Sequence, residues 1–419
     1  MGAIRRWVAA AAGILLLATA PATAQQVKLR FFTNFDANTV KIWTPIVEAY
    51  EKQNPNVKVT LETIAGSGAA IYPDVLRTSM AAGDPPDVFF MWGGEIAGPF
   101  IDAGQVMDLG AFYDKRGWKA RMTPWTVDAI TRNGKVWGVP YNARGMGFFY
   151  RKDIFAKYKL AEPKTYAELE QVCETLKTNK IYCASFGGKF GWHPMRLLDY
   201  FLETVCGPEL HTQLNRLQAS WDHPCAVESY GRLKKWVDKG WLVPDFLNVT
   251  PADARMPVYL GDAAMIIEGD WFEFVVRGDK QPTTNLDFFV PPTGHQPLRY
   301  SAFPQQWMIP AKAKNAEASA HFIDFITAVE TQKQFPAAFT ASATVGIEPD
   351  CKEWPITCKW RQIITTSRDI YPPTDQAFTK ELMDGFFEVQ SGIIAGRIAP
   401  SDGGKMMQAR AEAWKATKK

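Results

Sequence analysis

The chain has 419 residues, of which 47% are hydrophobic and 22% charged, and its formal net charge is +3. This composition excludes a disordered, collagen-like or coiled-coil chain, and the length predicts roughly two or three domains or two large lobes. The near balance of charge excludes a strongly basic or acidic field of the kind that binds nucleic acid or a cationic partner. Aromatic residues are numerous, with 15 Trp, 13 Tyr and 26 Phe.

Residues 1–24 have the pattern of a secretory signal peptide. Arg5 and Arg6 precede an apolar run at 8–18, and small residues at 22–24 form a cleavage pattern before Gln25. This run is shorter than the roughly 20 residues of a spanning helix, and no later run reaches that length, so we expect a soluble mature chain. No cysteine lies near the cleavage pattern, which argues against a lipid anchor. We therefore expect a freely diffusing periplasmic protein from a bacterium with two membranes.

All six cysteines lie after this leader, and an even number of cysteines in a secreted chain predicts disulfides. Proximity in sequence favours the pairs Cys173–Cys183, Cys206–Cys225 and Cys351–Cys358, but spacing alone leaves other pairings open. A metal site is less favoured, because the sequence has no C-x-x-C motif and its five histidines are scattered. We expect structural disulfides, no metal and no cofactor.

The first part of the mature chain alternates between strand and helix patterns. Apolar residues take every second position from Val27 to Phe31, and apolar residues three or four apart between Val40 and Tyr50 predict a helix. A second strand pattern at 57–61 precedes a second helix pattern at 74–82, and the apolar run 88–91 predicts a buried strand. Strands separated by helices indicate parallel pairing with right-handed crossovers, so we expect an α/β protein.

Later patterns continue this alternation. An apolar strand is predicted at 146–150, and Thr165 with Glu168 forms a capping box that begins a helix ending near Lys177. The apolar spacing at 322–329 and at 378–389 predicts two more helices. The sequence contains no Gly/Ser linker, so two lobes would be joined by short crossovers within the sheets. The candidate crossovers are 140–144, 290–294 and 340–345.

Sequence motifs of catalysis are missing from the chain. It has no H-E-x-x-H, no G-x-S-x-G, no phosphate-binding loop and no dinucleotide-binding glycine motif. Glu268 and Asp270 would be the candidate acid and base of a glycosidase, which uses two carboxylates. The neighbouring Gly269 and Trp271 favour a binding loop over a buried catalytic pair, so we do not expect an enzyme.

Aromatic side chains and amide or acid side chains recur where predicted strands end. In open parallel sheets the carboxyl ends of the strands line the ligand crevice, so these residues form the candidate ligand-binding set. The set comprises Asn34, Phe35, Asp36, Trp92, Gly93, Glu95, Tyr141, Asn142, Arg144, Trp192, His193, Asp270, Trp271, Phe303 and Gln305.

This mixture of residue types predicts a carbohydrate site. One face of a pyranose carries C–H bonds that pack on an aromatic ring, and its edge hydroxyls need donors and acceptors such as Asp, Asn and Arg. Two members of the set have equally good alternative roles. Arg144 suits a hinge salt bridge, and Glu95 suits an acid at a helix N-terminus.

The tryptophans of the chain divide into two groups. A tryptophan beside a strand is more often a core or rim residue than a ligand contact, and we assign Trp43 and Trp137 to the core. Three others have glycine close by in sequence, which lets a ligand or backbone approach closely. We assign to the ligand site Trp92, Trp192 and Trp271.

The chain resembles the family 1 extracellular solute-binding proteins of ABC transporters, in particular their carbohydrate-binding members. The resemblance spans nearly all of the mature chain and depends on the order and spacing of short motifs, each of them loose by itself. These motifs are the helix end at 50–55, the Gly-Asp-Pro-Pro-Asp-Val turn at 83–88, Gly-Val-Pro-Tyr at 138–141, the segment 261–265 leading to 269–271, and 307–310 before a helix at 316–329.

The resemblance implies a type II-like periplasmic-binding-protein fold. Each of its two lobes would be a mainly parallel sheet flanked by helices, with the ligand cleft between the lobes. The first lobe would comprise residues 25–140 and 292–340, and the second would comprise 141–291 and 341–419. In that family the loops that match Trp92 to Glu95, Tyr141 to Arg144, Trp192 and Asp270-Trp271 contact the ligand.

The implied function is capture of a mono- or oligosaccharide by lobe closure and its delivery to the membrane permease of an ABC importer. We expect a monomer with no nucleic-acid partner and no membrane insertion. Two alternatives stay open at this point. One is a secreted carbohydrate-active enzyme, and the other is a family member that binds a non-sugar solute such as a phosphorylated glycerol or a polyamine.

Overall fold

The computed structural model describes residues 26–64, 71–366 and 369–417. The predicted signal peptide lies outside this described part. Within it the strands are β1 (Val27–Thr33), β2 (Val57–Thr63), β3 (Val88–Trp92), β4 (Thr131–Arg132), β5 (Lys135–Val136), β6 (Val139–Arg151), β7 (Tyr182–Ser185), β8 (Ala263–Gly269), β9 (Leu286–Phe289), β10 (Tyr300–Met308) and β11 (Ile370–Tyr371).

The α-helices surround these strands. They are α1 (Ala37–Gln53), α2 (Tyr72–Ala81), α3 (Gly98–Asp102), α4 (Gly110–Arg116), α5 (Trp118–Arg121), α6 (Pro124–Asp128), α7 (Lys152–Lys157), α8 (Tyr166–Thr178), α9 (Trp192–Asn215), α10 (Pro224–Asp238), α11 (Met256–Leu260), α12 (Phe272–Gly278), α13 (Ala316–Ile326), α14 (Val329–Gln334), α15 (Pro355–Thr366), α16 (Thr374–Ala377), α17 (Lys380–Ile394) and α18 (Pro400–Ala416). A short 3-10 turn at Glu95–Ala97 follows β3.

Side-chain caps explain where two of the predicted helices begin. The carboxylate of Asp36 accepts a 2.7 Å hydrogen bond from the backbone N–H of Thr39 at the start of α1. At α8 the Thr165 hydroxyl accepts from the Glu168 N–H, and the Glu168 carboxylate accepts from the N–H of Lys164. The capping-box prediction is therefore confirmed for α8, with the reciprocal bond one residue before the cap.

One continuous sheet links the two halves of the molecule, in the order β2-β1-β3-β10-β6-β8-β7. Pairing is parallel toward its two ends, between β2, β1 and β3 and between β7 and β8. Pairing is antiparallel in the middle, where β10 joins β3 to β6 and β6 joins β8. The α/β prediction is confirmed, and the two parallel ends are the sheets of the two lobes.

β6 and β10 are the long strands that connect these ends. β6 has 13 residues and β10 has nine, and their ladder changes register between Gln305 and Gln306. Tyr141, Asn142 and Arg144 therefore lie inside β6, and the prediction that they follow a strand end is wrong. The polar residues of this strand are compatible with its interior because they have partners there: Asn142 lies 3.0 Å from Gln305 Oε1, and Arg144 pairs with Asp270.

The aromatic core of the first lobe lies between α1, the sheet and α13. Trp43 is 1% exposed, packs edge-on against Trp307 and lies tilted against Phe31, and Phe322 covers Phe31 from α13. The assignment of Trp43 to the core is confirmed. This burial fixes α1 on the sheet and thereby fixes the start of α1 at the carboxyl end of β1.

The cysteines form the three pairs that their spacing favours: Cys173–Cys183, Cys206–Cys225 and Cys351–Cys358. The first ties α8 to β7 and the second ties α9 to α10, so both stabilise the second half of the sheet and its helices. In the described residues no helix is both long and apolar enough to cross a membrane.

Candidate ligand-binding site

Two half-buried indole rings lie close to β6 and β10, the strands that connect the two ends of the sheet. Trp271 follows the end of β8, Trp192 opens α9, and their ring centroids are 6.4 Å apart in an edge-to-face arrangement. Phe303 of β10 lies 6.4 Å from Trp271 on the other side. At Gly269 any side chain would collide with the Trp271 ring, so this position requires glycine for the indole to keep its place.

Hydrogen-bonding groups surround these rings. Asp270 is 3% exposed, and its carboxylate makes a 2.9 Å ion pair with the Arg144 guanidinium, which lies 6.0 Å from the Trp271 ring centroid. Gln305 Oε1 accepts from Arg144 Nε at 3.2 Å and lies 3.0 Å from the Asn142 amide. The structure thus shows the salt bridge that was one of the two alternatives for Arg144.

Burial raises the pKa of Asp270 above its usual value, and the positive charge of Arg144 opposes that shift. Arg144 is held by this ion pair and by its hydrogen bond to Gln305. Such a net-neutral pair can hydrogen-bond a hydroxyl without adding net charge to the site.

Glu268 does not have the environment of a catalytic acid or nucleophile. It is fully buried, its Oε1 accepts from Arg255 Nε at 2.9 Å, and its Oε2 accepts from Trp271 Nε1 at 2.8 Å. Both carboxylate oxygens therefore serve to hold other side chains. Through its hydrogen bond to the indole, Glu268 orients Trp271.

Arg196 and Asp375 complete the charged surroundings, and sequence reasoning missed both. The Arg196 guanidinium makes a 3.2 Å ion pair with Asp375 and lies 5.8 Å from the Trp192 ring and 5.6 Å from the Phe303 ring. The sequence could have indicated Arg196, because it lies four residues after Trp192 and therefore on the same face of α9. Asp375 reaches the site only through the tertiary fold.

A cavity of about 670 Å³ adjoins this cluster. The loop after β3 and Phe303 of β10 form one side of it, and the end of α9, β11, α16 and the start of α17 form the other side. Three predicted residues line the cavity: Gly93, Glu95 and Phe303. Phe303 also contacts Trp271, so the cavity and the tryptophan pair are neighbouring parts of one region.

The structure places four other predicted residues in the protein interior, and two of them, Trp92 and Tyr141, are 6% and 3% exposed. Phe35 is 5% exposed and packs on Trp43 in the core. His193 is fully buried, its Nδ1 accepts from the Gly187 N–H, and its Nε2 lies 2.6 Å from the Ile267 carbonyl oxygen. His193 supports Trp192, on which its ring stacks with centroids 4.8 Å apart, whereas Phe35 belongs to the core around Trp43.

Four of the remaining predicted residues have partners other than the tryptophan pair. Asp36 caps α1, and Trp92 packs edge-on against Phe90. Tyr141 stacks on Trp307 with ring centroids 4.2 Å apart. Glu95 pairs with Arg132 at 2.6 Å and begins the 3-10 turn, which agrees with its alternative role as an acid at a helix N-terminus. Asn34 is half-buried in the loop between β1 and α1.

Metal ligands are not gathered at this region. Among the described residues no group of three or more His, Cys, Asp or Glu side chains is placed to hold a metal ion. The site provides aromatic rings for packing, together with ion pairs and amide groups for hydrogen bonds.

Two halves that meet at shared strands, with aromatic and charged groups at the meeting point, define a periplasmic-type binding protein whose ligand lies between its lobes. The chain belongs to the bacterial extracellular solute-binding protein family, whose model matches residues 36–333. An uncharacterized ABC transporter extracellular-binding protein of Pyrococcus horikoshii is 26% identical over 389 residues, which cover 91% of this chain and 82% of the relative.

Two further proteins extend these similarities. A maltooligosaccharide ABC transporter solute-binding lipoprotein of Streptococcus pneumoniae is 28% identical over 305 residues, which cover 69% of this chain and 66% of that protein. The solved structure of a chitin oligosaccharide binding protein matches with a TM-score of 0.84 at 21% identity, covering 94% of this chain and 100% of that one. The structural match shows that the fold is shared.

Proposed function

We propose that this protein is the carbohydrate-binding component of an ABC importer. It captures a sugar between its lobes and presents the closed form to a membrane permease. The observation that carries the proposal is the half-buried pair Trp192 and Trp271, set beside the net-neutral pair Arg144 and Asp270. Aromatic faces pack on the C–H face of a sugar ring, and the paired charges hydrogen-bond its hydroxyls.

The charge of the site supports a neutral solute. Each arginine of the cluster is matched by a carboxylate, Arg144 by Asp270 and Arg196 by Asp375. A phosphorylated ligand needs a surplus of cations and a polyamine needs a surplus of carboxylates, and this cluster offers neither surplus. The names of two relatives point the same way, since one is a maltooligosaccharide-binding lipoprotein and the other binds chitin oligosaccharide.

The mechanism requires no chemical step. A ligand that touches both lobes only in the closed form shifts the population toward that form by its difference in affinity for the two forms. Glu268, one of the two carboxylates that a glycosidase would need, is fully occupied by Arg255 and Trp271. We therefore propose binding without turnover, by a chain exported to the periplasm through its signal peptide.

The proposal is tested by calorimetry and thermal shift with a panel of neutral mono- and oligosaccharides of glucose, galactose, xylose and N-acetylglucosamine. A true ligand raises the melting temperature with concentration and is recovered unchanged. Failure of the whole panel to bind, or hydrolysis of a bound glycoside, would contradict the proposal.

The variant Trp271→Ala tests the site itself. We expect it to weaken sugar binding by roughly 10- to 100-fold, because it removes one aromatic face of the cleft. Trp137→Ala is the matched control, since Trp137 is also half-buried but donates its indole N–H to the Arg132 carbonyl away from the cluster. Equal affinity losses in the two variants would remove Trp271 from the site.

A further inference from the structure

The indole N–H of Trp271 is committed to a buried carboxylate. Trp271 Nε1 donates to Glu268 Oε2 at 2.8 Å, and Glu268 is fully buried near the end of β8. An indole has one hydrogen-bond donor and no acceptor. Trp271 therefore has no donor left for a ligand and contributes only its ring surface, so its contribution to binding depends on how the plane of the ring is held.

Two contacts with β8 hold this plane. The hydrogen bond to Glu268 holds the pyrrole edge of the indole, and the benzene edge lies over Gly269, where a Cβ atom would collide with Cζ3 of the ring. Packing on glycine limits how closely the ring approaches the strand, whereas a hydrogen bond is directional and fixes the rotation of the ring. Glu268 therefore determines which way the ring faces.

Arg255 holds the other oxygen of the same carboxylate. Its Nε donates to Glu268 Oε1 at 2.9 Å. The segment that carries Arg255 is tied to the sheet, because the Ala254 carbonyl oxygen accepts a 2.6 Å hydrogen bond from the hydroxyl of Ser185 at the end of β7. The carboxylate thus lies between an anchored cation and the indole.

Only a carboxylate at position 268 satisfies both of these donors. A carboxylate has two acceptor oxygens and no donor, whereas a glutamine amide has one acceptor oxygen and an NH₂ group that donates. Beside Arg255 and Trp271, that NH₂ group would face an N–H in either orientation of the amide. Because glutamine has nearly the same size and shape, Glu268→Gln changes the hydrogen bonding with little change in packing.

We propose that Glu268 is a positioning residue for ligand binding: held by Arg255, it fixes the plane of the Trp271 ring on which the sugar packs. Glu268 acts through the indole and does not touch the sugar, since it is fully buried. This inference rests on the proposed carbohydrate function and names the side chain that sets the geometry of its aromatic face. The alternative is an ion pair that stabilises the fold and has no specific effect through Trp271.

A double-mutant cycle separates these two roles. Native protein, Glu268→Gln, Trp271→Phe and the double variant are titrated by calorimetry with the saccharide of the panel that binds the native protein most tightly. We expect Glu268→Gln to weaken binding about 3- to 10-fold when Trp271 is present. In the Trp271→Phe background the same change should alter affinity by less than about 2-fold, because phenylalanine has no N–H to be held.

A compensating change extends the test to the case in which Glu268→Gln does not fold. Arg255→Met combined with Glu268→Gln removes the cation together with the charge of the acid, so the amide oxygen is available to Trp271 Nε1. We expect this combination to fold and to bind within about 2-fold of native affinity, since a buried ion pair can be replaced as a whole at little cost. Binding more than about 10-fold weaker would contradict the inference.

Asp324→Asn is the matched control. Asp324 also accepts from an indole and pairs with an arginine, with Trp118 Nε1 at 2.9 Å and Arg121 as the cation. It lies on α13, which packs against β1 in the first half of the sheet. The control should lower the melting temperature and leave sugar affinity unchanged.

A measurement without sugar follows the contact directly. In protein with isotope-labelled tryptophan, heteronuclear NMR detects the indole N–H resonances, and that of Trp271 is assigned by its loss in Trp271→Phe. We expect this resonance to shift in Glu268→Gln and to return toward its native position when Arg255→Met is added. The resonance of Trp118, whose acceptor is Asp324, should stay in place.

The outcomes separate the inference from the function on which it rests. A loss of affinity that depends on Trp271, together with the shift of its resonance, supports the inference. Equal losses from Glu268→Gln in the two backgrounds, or an unmoved Trp271 resonance, would overturn the positioning role and leave the carbohydrate function standing. If no saccharide of the panel binds the native protein, the carbohydrate function fails and the inference falls with it.

Discussion

At the scale of single residues, two ion pairs determine the charge and the hydrogen-bonding groups of the site. Arg144 with Asp270 and Arg196 with Asp375 are buried or nearly buried pairs, each in contact with an aromatic ring. A buried pair of this kind is weak evidence for stability, but it holds its side chains in one geometry and strongly penalises loss of either partner. We interpret these pairs as the fixed polar frame within which the indoles are presented.

His193 gives a prediction about pH. Burial lowers the pKa of His193 to about 4, from an ordinary value of about 6.5, because the charged form would be desolvated and its Nδ1 already accepts from Gly187. The neutral form contributes stability that is present above the ordinary pKa and is lost as pH falls from about 6.5 toward 4. Between pH 7 and pH 5 the expected loss from this residue is about 2 kcal/mol.

Chemical denaturation of the native protein and of His193→Asn at pH 7 and pH 5 measures this contribution. The variant should be less stable at pH 7, and its stability should fall less on acidification. The comparison is needed because Asp199, whose pKa burial raises to about 6, acts in the opposite direction over part of the range. Parallel pH profiles in the two proteins would refute the assignment.

The sequence could predict residues whose chemistry is visible next to a strand pattern. Trp271, Asp270 and Trp192 belong to this group. The first two directly follow an apolar strand pattern, and Trp192 has a glycine beside it. Asp375 could not be found in this way, since it lies in a C-terminal segment that reaches the site only through packing on α9 and on the loop after β3. Phe35 shows the reverse error, since its position after β1 did not reveal its burial in the core.

Among elements, α16 makes a contact with the first half of the sheet that depends on one glycine. It packs against the 3-10 turn after β3, where Gly94 has φ of +83° and ψ of −157°, a backbone region that is essentially open to glycine alone. A side chain at Gly94 would also collide with the Gln376 carbonyl oxygen. The close approach of this loop and α16 therefore depends on glycine.

Gly94→Ala should accordingly lower the free energy of unfolding by about 3 kcal/mol, through backbone strain and displacement of α16. The matched control is Gly104→Ala, since Gly104 also has positive φ, of +65°, but has open space around its missing Cβ. We expect this control to cost about 1 kcal/mol. Urea denaturation measures both variants, and equal losses would show that the α16 contact contributes nothing.

Helices with a cap or regular apolar spacing could be predicted from sequence. Strands that depend on pairing with distant parts of the chain could be predicted only in part. Apolar spacing identified α1 from sequence, and the capping box identified α8. β6 was recognised only at 146–150, because its first half carries Asn142 and Arg144 and so breaks the apolar run. β6 is one continuous strand because it pairs with β10, which lies more than 150 residues later in the chain. The local sequence of β6 does not indicate which strand it pairs with.

For the whole molecule, the lobe boundaries stay a proposal. The predicted boundary before residue 292 precedes a segment that packs on α9, where Pro292 accepts from Tyr200 and Arg299 pairs with Glu203. We therefore propose that the chain returns to the first lobe within β10, near Gln305. We further propose that the segment near Ser342, which pairs with Asn142 of β6, is the third crossing.

Charged side chains bridge the lobes at one rim of the cleft and give the last prediction. Asp74 on α2 lies 3.6 Å from Lys380 on α17, and Arg77 lies 3.9 Å from Glu381. α2 belongs to the first half of the sheet, whereas α17 packs on α9 and α10 of the second half. If these pairs form only when the lobes close, they favour closure and raise ligand affinity by linkage.

A charge swap at Asp74 and Lys380 tests this coupling. The single variants Asp74→Lys and Lys380→Asp should each weaken sugar binding about 2- to 5-fold, because an exposed pair contributes little and each change places like charges across the rim. The double variant should recover part of the affinity, because the swap restores the contact between the helices but reverses the pairs of Asp74 with Arg77 and of Lys380 with Asp384. All differences should shrink at about 1 M salt, where screening is strong. Titration calorimetry of the four proteins measures the coupling, and the free proteins should unfold at similar temperatures. Failure of the double variant to recover affinity would show that the two helices do not meet on closure.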